Sequence, residues 1–161
     1  NGDIMSAVIM APIAKGRLRA MGPVDVTQPY AYLPDWARAA VALAVHRDTL
    51  AVFEDIPFPG HAFTLDALRQ EVSKSLGRTV RIEQFPWWVM TLTAPVWELA
   101  RELREMRYLS NLPHRLDGSK LARLLPDFEP STLRTAMLAG LPSQIHPDEV
   151  MRPRGEAIAA K

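Results

Sequence analysis

A chain of 161 residues, 48% of them hydrophobic, has the length of one domain and enough apolar material for one core. Nineteen Lys and Arg against 18 Asp and Glu leave a net charge of +1, which gives no field to gather nucleic acid or an anionic membrane. The absence of cysteine excludes disulfides, thiolate nucleophiles and cysteine-based zinc sites, so the default expectation is a cytoplasmic protein.

The chain opens on NGDIMSAVIMAP rather than on methionine, as though entered mid-protein, and a fragment is expected. Ile4, Val8 and Ala11 recur at helical spacing, predicting a helix from Ile4 to Lys15 with a break near Pro12 and an end at Gly16. GRLRAMGP, residues 16–23, reads as a short strand; Arg17 and Arg19 share one of its faces and either meet an anion or line a solvated edge. Tyr30 to Leu33 is short, aromatic and extended, with Leu33 held in extended geometry by Pro34. Asp35 then caps a helix running to about His46, whose small face of Ala39, Ala40, Leu43 and Ala44 is expected against a sheet.

Thr49 to Ile56 is predicted as a strand and PFPGHAF as a loop. Thr64 stands where an N-cap belongs, before Leu65, Leu68, Val72 and Leu76 at helical spacing, and Gly77 is placed to end that helix. RTVRIEQF, residues 78–85, alternates charged and apolar residues like a half-buried strand. Pro86 begins a long helix interrupted near Pro95, on which Glu98, Arg101 and Glu105 form a solvated face. Two short helices follow, one capped near Asp117 or Ser119 and one begun by Ser131 or Thr132. The polar residues 142–161 form a flexible tail to a body spanning 1–141. The longest apolar runs, Val8 to Ala14 and Ala39 to Val45, are seven residues each, against roughly 20 for a membrane-spanning helix, so no span is expected.

Several chemistries find no motif. No two glycines are closer than Gly16 and Gly22, so neither a GxGxxG dinucleotide turn nor a P-loop is present. Each tyrosine lacks a lysine four residues on: position 34 is proline, position 36 tryptophan and position 112 leucine. There is no HExxH and no GxSxG, and His46, His61, His114 and His146 are scattered singly, so neither a catalytic residue nor a metal ligand is expected.

Three stretches nevertheless carry a resemblance. YAYLPDWARAAVALA, FTLDALRQEVSKSLGRTVRIEQFP and LDGSKLARLLPDFEPSTLRTAML, in this order, resemble the carboxy-terminal half of an extended or atypical short-chain dehydrogenase/reductase, the NAD(P)-dependent epimerase/dehydratase group that includes NmrA-like members. The match spans about residues 16–141. It implies an α/β fold, the carboxy-terminal portion of a Rossmann-type NAD(P)-binding fold with a small substrate subdomain of helices and strands. NAD or NADP would belong to the intact parent, with the nucleotide-binding glycines and the catalytic Ser/Thr, Tyr and Lys in an amino-terminal half. No cofactor is expected on this chain alone, which would be inactive.

Two departures stand out. Gln28 occupies the place where many nucleotide-sugar enzymes of the group carry a phosphate-holding arginine, and Pro126–Asp127 stand where a glycine is usual. The resemblance implies that Tyr30, Tyr32 and Gln28 border a substrate cleft. Trp87 and Trp88, in the tryptophan-rich FPWWVMTLTAPVW, either wall an apolar substrate pocket, contact a membrane surface, form a subunit interface or cover the small subdomain's core; adjacent helical residues diverge by about 100°, so one of the two is expected to face a groove or partner. A small-molecule substrate and hydride chemistry in the parent are the first expectation. A non-catalytic NmrA-like regulatory or interaction module is the second, and a complete small ligand-binding domain the third; contact with the amino-terminal half or with a second copy would cover exposed apolar faces.

Overall fold

A computed structural model describes residues 5–141. It opens with a π-helical turn over Met5–Ile9 and a 3-10 turn over Ala11–Lys15, in place of the single helix expected there. Pro12, lacking an amide hydrogen, cannot continue an α-helical ladder, and Gly16 closes the segment in the left-handed region with φ 69°. Strand β1 (Arg17–Ala20) then runs parallel to β4 (Arg81–Gln84), Leu18 opposite Ile82. A second pair, β2 (Gln28–Tyr30) and β3 (His61–Phe63), is antiparallel, Tyr30 opposite His61. Helices α1 (Leu33–Val45), α2 (Leu65–Leu76), α3 (Trp87–Thr93), α4 (Glu98–Glu105), α5 (Ser119–Leu124) and α6 (Leu133–Leu138) complete a mixed helix-and-strand architecture with two small sheets among the described residues.

The main core gathers around α2. Thr64 Oγ1 accepts the Ala67 amide at 3.1 Å, Gly77 ends the helix at φ 60°, and Leu65, Leu68, Val72 and Leu76 are buried. Their spacing places them on one stripe, and each such side chain contributes roughly 1.5–3 kcal/mol when fully buried. They meet Leu18 and Ala20 of β1, Val80 before β4, Ile9, Met10 and Ile13 of the opening turns, and Met137 of α6. Arg17 and Arg19 find their anion within the sheet: both guanidinium groups reach Glu83 on the neighbouring strand, at 3.4 and 2.9 Å.

A second cluster corrects the expected sheet packing of α1. Ala39 is buried against Leu121 of α5 and Leu125 just after it, with Leu43, Phe58 and Phe128 around them, whereas Ala40 and Ala44 face outward. The strand expected over residues 49–56 is absent: a 3-10 turn, Arg47–Thr49, leads into irregular chain whose Val52 and Phe53 are exposed. Glu54 and Asp55 within it both serve Lys120 of α5, through a carboxylate and a carbonyl, which accounts for loop geometry in an otherwise strand-like run. The expected PFPGHAF loop instead contains β3. Gly60, at φ 59°, makes the turn into it; a Cβ there would collide with the Tyr30 carbonyl.

The helix from Pro86 is divided, as Pro95 requires, into α3 and α4, which fold back on one another over Met90, Ala94 and Ala100. Arg101 pairs with Glu98 at 3.4 Å and with Glu102 at 3.8 Å on the solvated face. Gly118 holds the N-cap position of α5, with the adjacent Asp117 carboxylate accepting the Ser119 amide at 2.9 Å, and Thr132 caps α6 by accepting the Thr135 amide. No helix among the described residues is long and apolar enough to cross a membrane. The tail expected over 142–161 lies outside the described residues.

Candidate functional site

The β2–α1 junction is where the chain concentrates polar and aromatic groups. Helix α1 begins at Leu33, with Tyr32 in the N-cap position and no side chain capping it; the Asp35 and Trp36 amides both donate to the Tyr32 carbonyl at 3.0 Å. Leu33 is thus helical rather than extended, and Pro34 sits in the first turn, where its missing amide hydrogen costs nothing. Asp35 does not cap its own helix. Its carboxylate, only 1% exposed, turns inward and accepts the Ser131 amide at 2.8 Å and the Ser131 hydroxyl at 2.7 Å, together with Arg38 at 2.7 Å. Arg38 also donates to the Glu129 carbonyl and lies 5.2 Å from the centre of the Phe128 ring.

This cluster ties three distant parts of the chain together. Burial pushes the Asp35 carboxyl up, but the hydrogen bonds from Arg38 and Ser131 outweigh burial and hold it below the ordinary carboxylate value. Both oxygens are thereby occupied, which fits Asp35 for fixing the entry to α6 and not for taking a proton in a reaction. His61 Nε2, shielded from solvent, stands 4.0 Å from Asp35 Oδ2 and has no hydrogen-bond partner among the described residues.

On the other side of the junction a groove of about 480 Å³ opens, within the size range of small-molecule sites. Tyr30, Tyr32 and Phe63 line it together with Ala136 of α6 and Ala139 and Gly140 just after that helix. Tyr30 stacks on Phe63 with ring centroids 4.4 Å apart and planes 19° apart, a diagonal cross-strand pair. Burial raises the Tyr30 hydroxyl above its ordinary value, so it keeps its proton and remains a donor.

The five residues expected at a substrate cleft are thus found in three places. Tyr30 and Tyr32 share the groove. Gln28 points its amide to the Leu112 carbonyl at 3.1 Å. Trp87 is half-buried on α3, donating from Nε1 to the Met21 carbonyl at 2.9 Å with Arg107 stacked over its ring, while its neighbour Trp88 is 68% exposed.

Phe63, the small residues of α6 and the Ser131–His61 surroundings of Asp35 escaped sequence reasoning. The small-residue spacing in TAMLAG was a readable signal for a close approach of α6; His61, a lone histidine beside a glycine, offered none.

Among the described residues the three left-handed glycines, Gly16, Gly60 and Gly77, stand far apart in the sequence rather than in one phosphate-cradling turn, and no cationic side chain lines the groove to meet a pyrophosphate. No group of three or more His, Asp or Glu that could hold a metal ion converges among the described residues. The chain matches no family model, no curated protein and no solved structure.

Proposed function

We propose that this chain forms the substrate-side region of an NAD(P)-dependent oxidoreductase or epimerase-like protein of the short-chain dehydrogenase/reductase type, the groove beside Tyr30 and Tyr32 being a wall of its substrate cleft. What carries this reading is the return of the closing segment onto the junction. Ser131 is bonded to Asp35 across 96 residues of sequence, and Ala136 of α6 lines the same groove as the two tyrosines. Phenolic rings on one wall and small residues on the other favour a small molecule gripped by its apolar body and oriented by hydroxyls.

Two features of the surroundings accord with a larger parallel sheet. Parallel strands are ordinarily covered on both faces, yet β1 and β4 form a sheet of two. Helix α1, apolar around most of its circumference, exposes Leu33, Trp36, Val41 and Val45. In this reading an amino-terminal Rossmann half supplies the dinucleotide and the acid/base groups, and the setting is cytoplasmic.

A second reading, a regulatory or interaction module, is favoured by the outer face of α3–α4, where Trp88, Leu92, Val96 and Trp97 are all exposed. The polypeptide encoded upstream of Asn1 separates the two. A glycine-rich turn followed by Tyr-x-x-x-Lys supports the enzyme; a glycine-rich turn without that pair supports the regulator; an upstream sequence with no glycine-rich turn overturns both readings.

A further inference from the structure

The groove is lined by two tyrosines, a phenylalanine, one serine and otherwise small or aliphatic residues, with no lysine, arginine, histidine, aspartate or glutamate among the described residues. Its nearest carboxylate, Asp35, is committed to Ser131 and Arg38, and Arg38 is drawn to the far side by Asp35, the Glu129 carbonyl and the Phe128 ring. A ligand phosphate placed here would lose water without gaining a cation, and an uncompensated buried charge is among the costliest groups a site can hold. The Tyr30 ring, held by its stack on the buried Phe63 with planes 19° apart, is a fixed aromatic surface for a flat ring.

From this lining we infer that the groove takes a small, uncharged, planar ligand, an aromatic or conjugated ring bearing a hydroxyl or carbonyl, and discriminates against phosphorylated compounds such as nucleotide sugars. The inference rests on the reading of the groove as a substrate wall and narrows that wall's chemistry. Shape and apolar burial hold the ring between Tyr30, Phe63 and the small residues of α6. Tyr32, a lining residue, supplies a hydroxyl to the ligand's single polar atom. Ala139, exposed at the rim, sets how wide a ring can enter.

The test is a matched pair of probes, 2-naphthol and 2-naphthyl phosphate, titrated into the 161-residue chain and followed by amide and methyl NMR shifts. Saturable shifts at Tyr30, Tyr32, Ala136 and Ala139 with naphthol, and binding of the phosphate at least tenfold weaker, are expected. Ala139→Phe, at an exposed position that tolerates bulk, should weaken naphthol about tenfold by narrowing the groove, and Tyr32→Phe a few-fold by removing one hydrogen bond. If both probes shift the groove residues with equal affinity, or the phosphate binds more tightly, the charge discrimination is overturned while the groove stands as a ligand site. If neither probe moves those residues, or the shifts fall on α3–α4 instead, the groove reading and the inference built on it are both overturned.

Discussion

Asp35 is a carboxylate buried at the meeting of α1, β3 and the entry to α6, and it stays charged because two residues donate three hydrogen bonds to it. Its pKa is lowered in the folded state, so it contributes stability that is fully present above the unfolded value near 3.8 and is lost as pH falls through the folded value. Urea unfolding followed from pH 6 to pH 2.5 should therefore show stability declining across the acid range. Asp35→Asn should flatten that decline and cost about 2 kcal/mol at pH 6, less than the roughly 3–5 kcal/mol of a fully buried pair because Arg38 is half in water. An unchanged acid limb in the variant would contradict the assignment. Thr64 is a simpler case: Thr64→Ala removes the cap of α2 and should cost about 1 kcal/mol by thermal or urea denaturation. The two residues differ in how openly the sequence displays them. Thr64 caps an amide three residues away, and the pattern around it announces that role; Asp35 also precedes a helical pattern, but its partner lies 96 residues downstream, so local propensity points to the wrong bond.

Among the elements, α2 was legible throughout because cap, apolar spacing and terminal glycine agree. The division of the α3–α4 segment at Pro95 was legible for the same reason, proline's missing donor being a local fact. Residues 49–56 misled, since an apolar run reads as a strand whether or not another strand is there to pair with it, and here Lys120 engages the segment from α5 instead. Strand β3 was missed because Pro57, Pro59 and Gly60 mark a loop so strongly, yet the turn at Gly60 is what aligns His61 with Tyr30. Gly60→Ala should be strained by both the left-handed φ and the Tyr30 carbonyl, and should lower the thermal midpoint while loosening the Tyr30–Phe63 stack, seen as a loss of near-ultraviolet tyrosine dichroism. Leu68→Ala, in the centre of the core, should cost about 2–5 kcal/mol. Val41→Lys, on the outer face of α1, should change stability by less than about 0.5 kcal/mol in this chain; a large loss would show that the face is already covered.

At the scale of the whole molecule, length and composition foretold one principal core, and the chain forms it around α2 with smaller clusters beneath α1 and within α3–α4. The distribution of uncovered apolar surface was not readable from composition, because exposure depends on which helix faces find partners. Much of that surface lies on α1 and on α3–α4, where Val41, Val45, Trp88 and Leu92 are exposed, while Leu33 of α1 also lines the groove. The central proposal is that this chain holds a substrate wall and that the dinucleotide binds elsewhere in the parent. Calorimetric titration of the 161-residue chain with NADPH and with NADH tests it most directly. Absence of saturable binding up to about 1 mM is predicted for both; stoichiometric binding of either with a Kd of about 10 μM or tighter would contradict it.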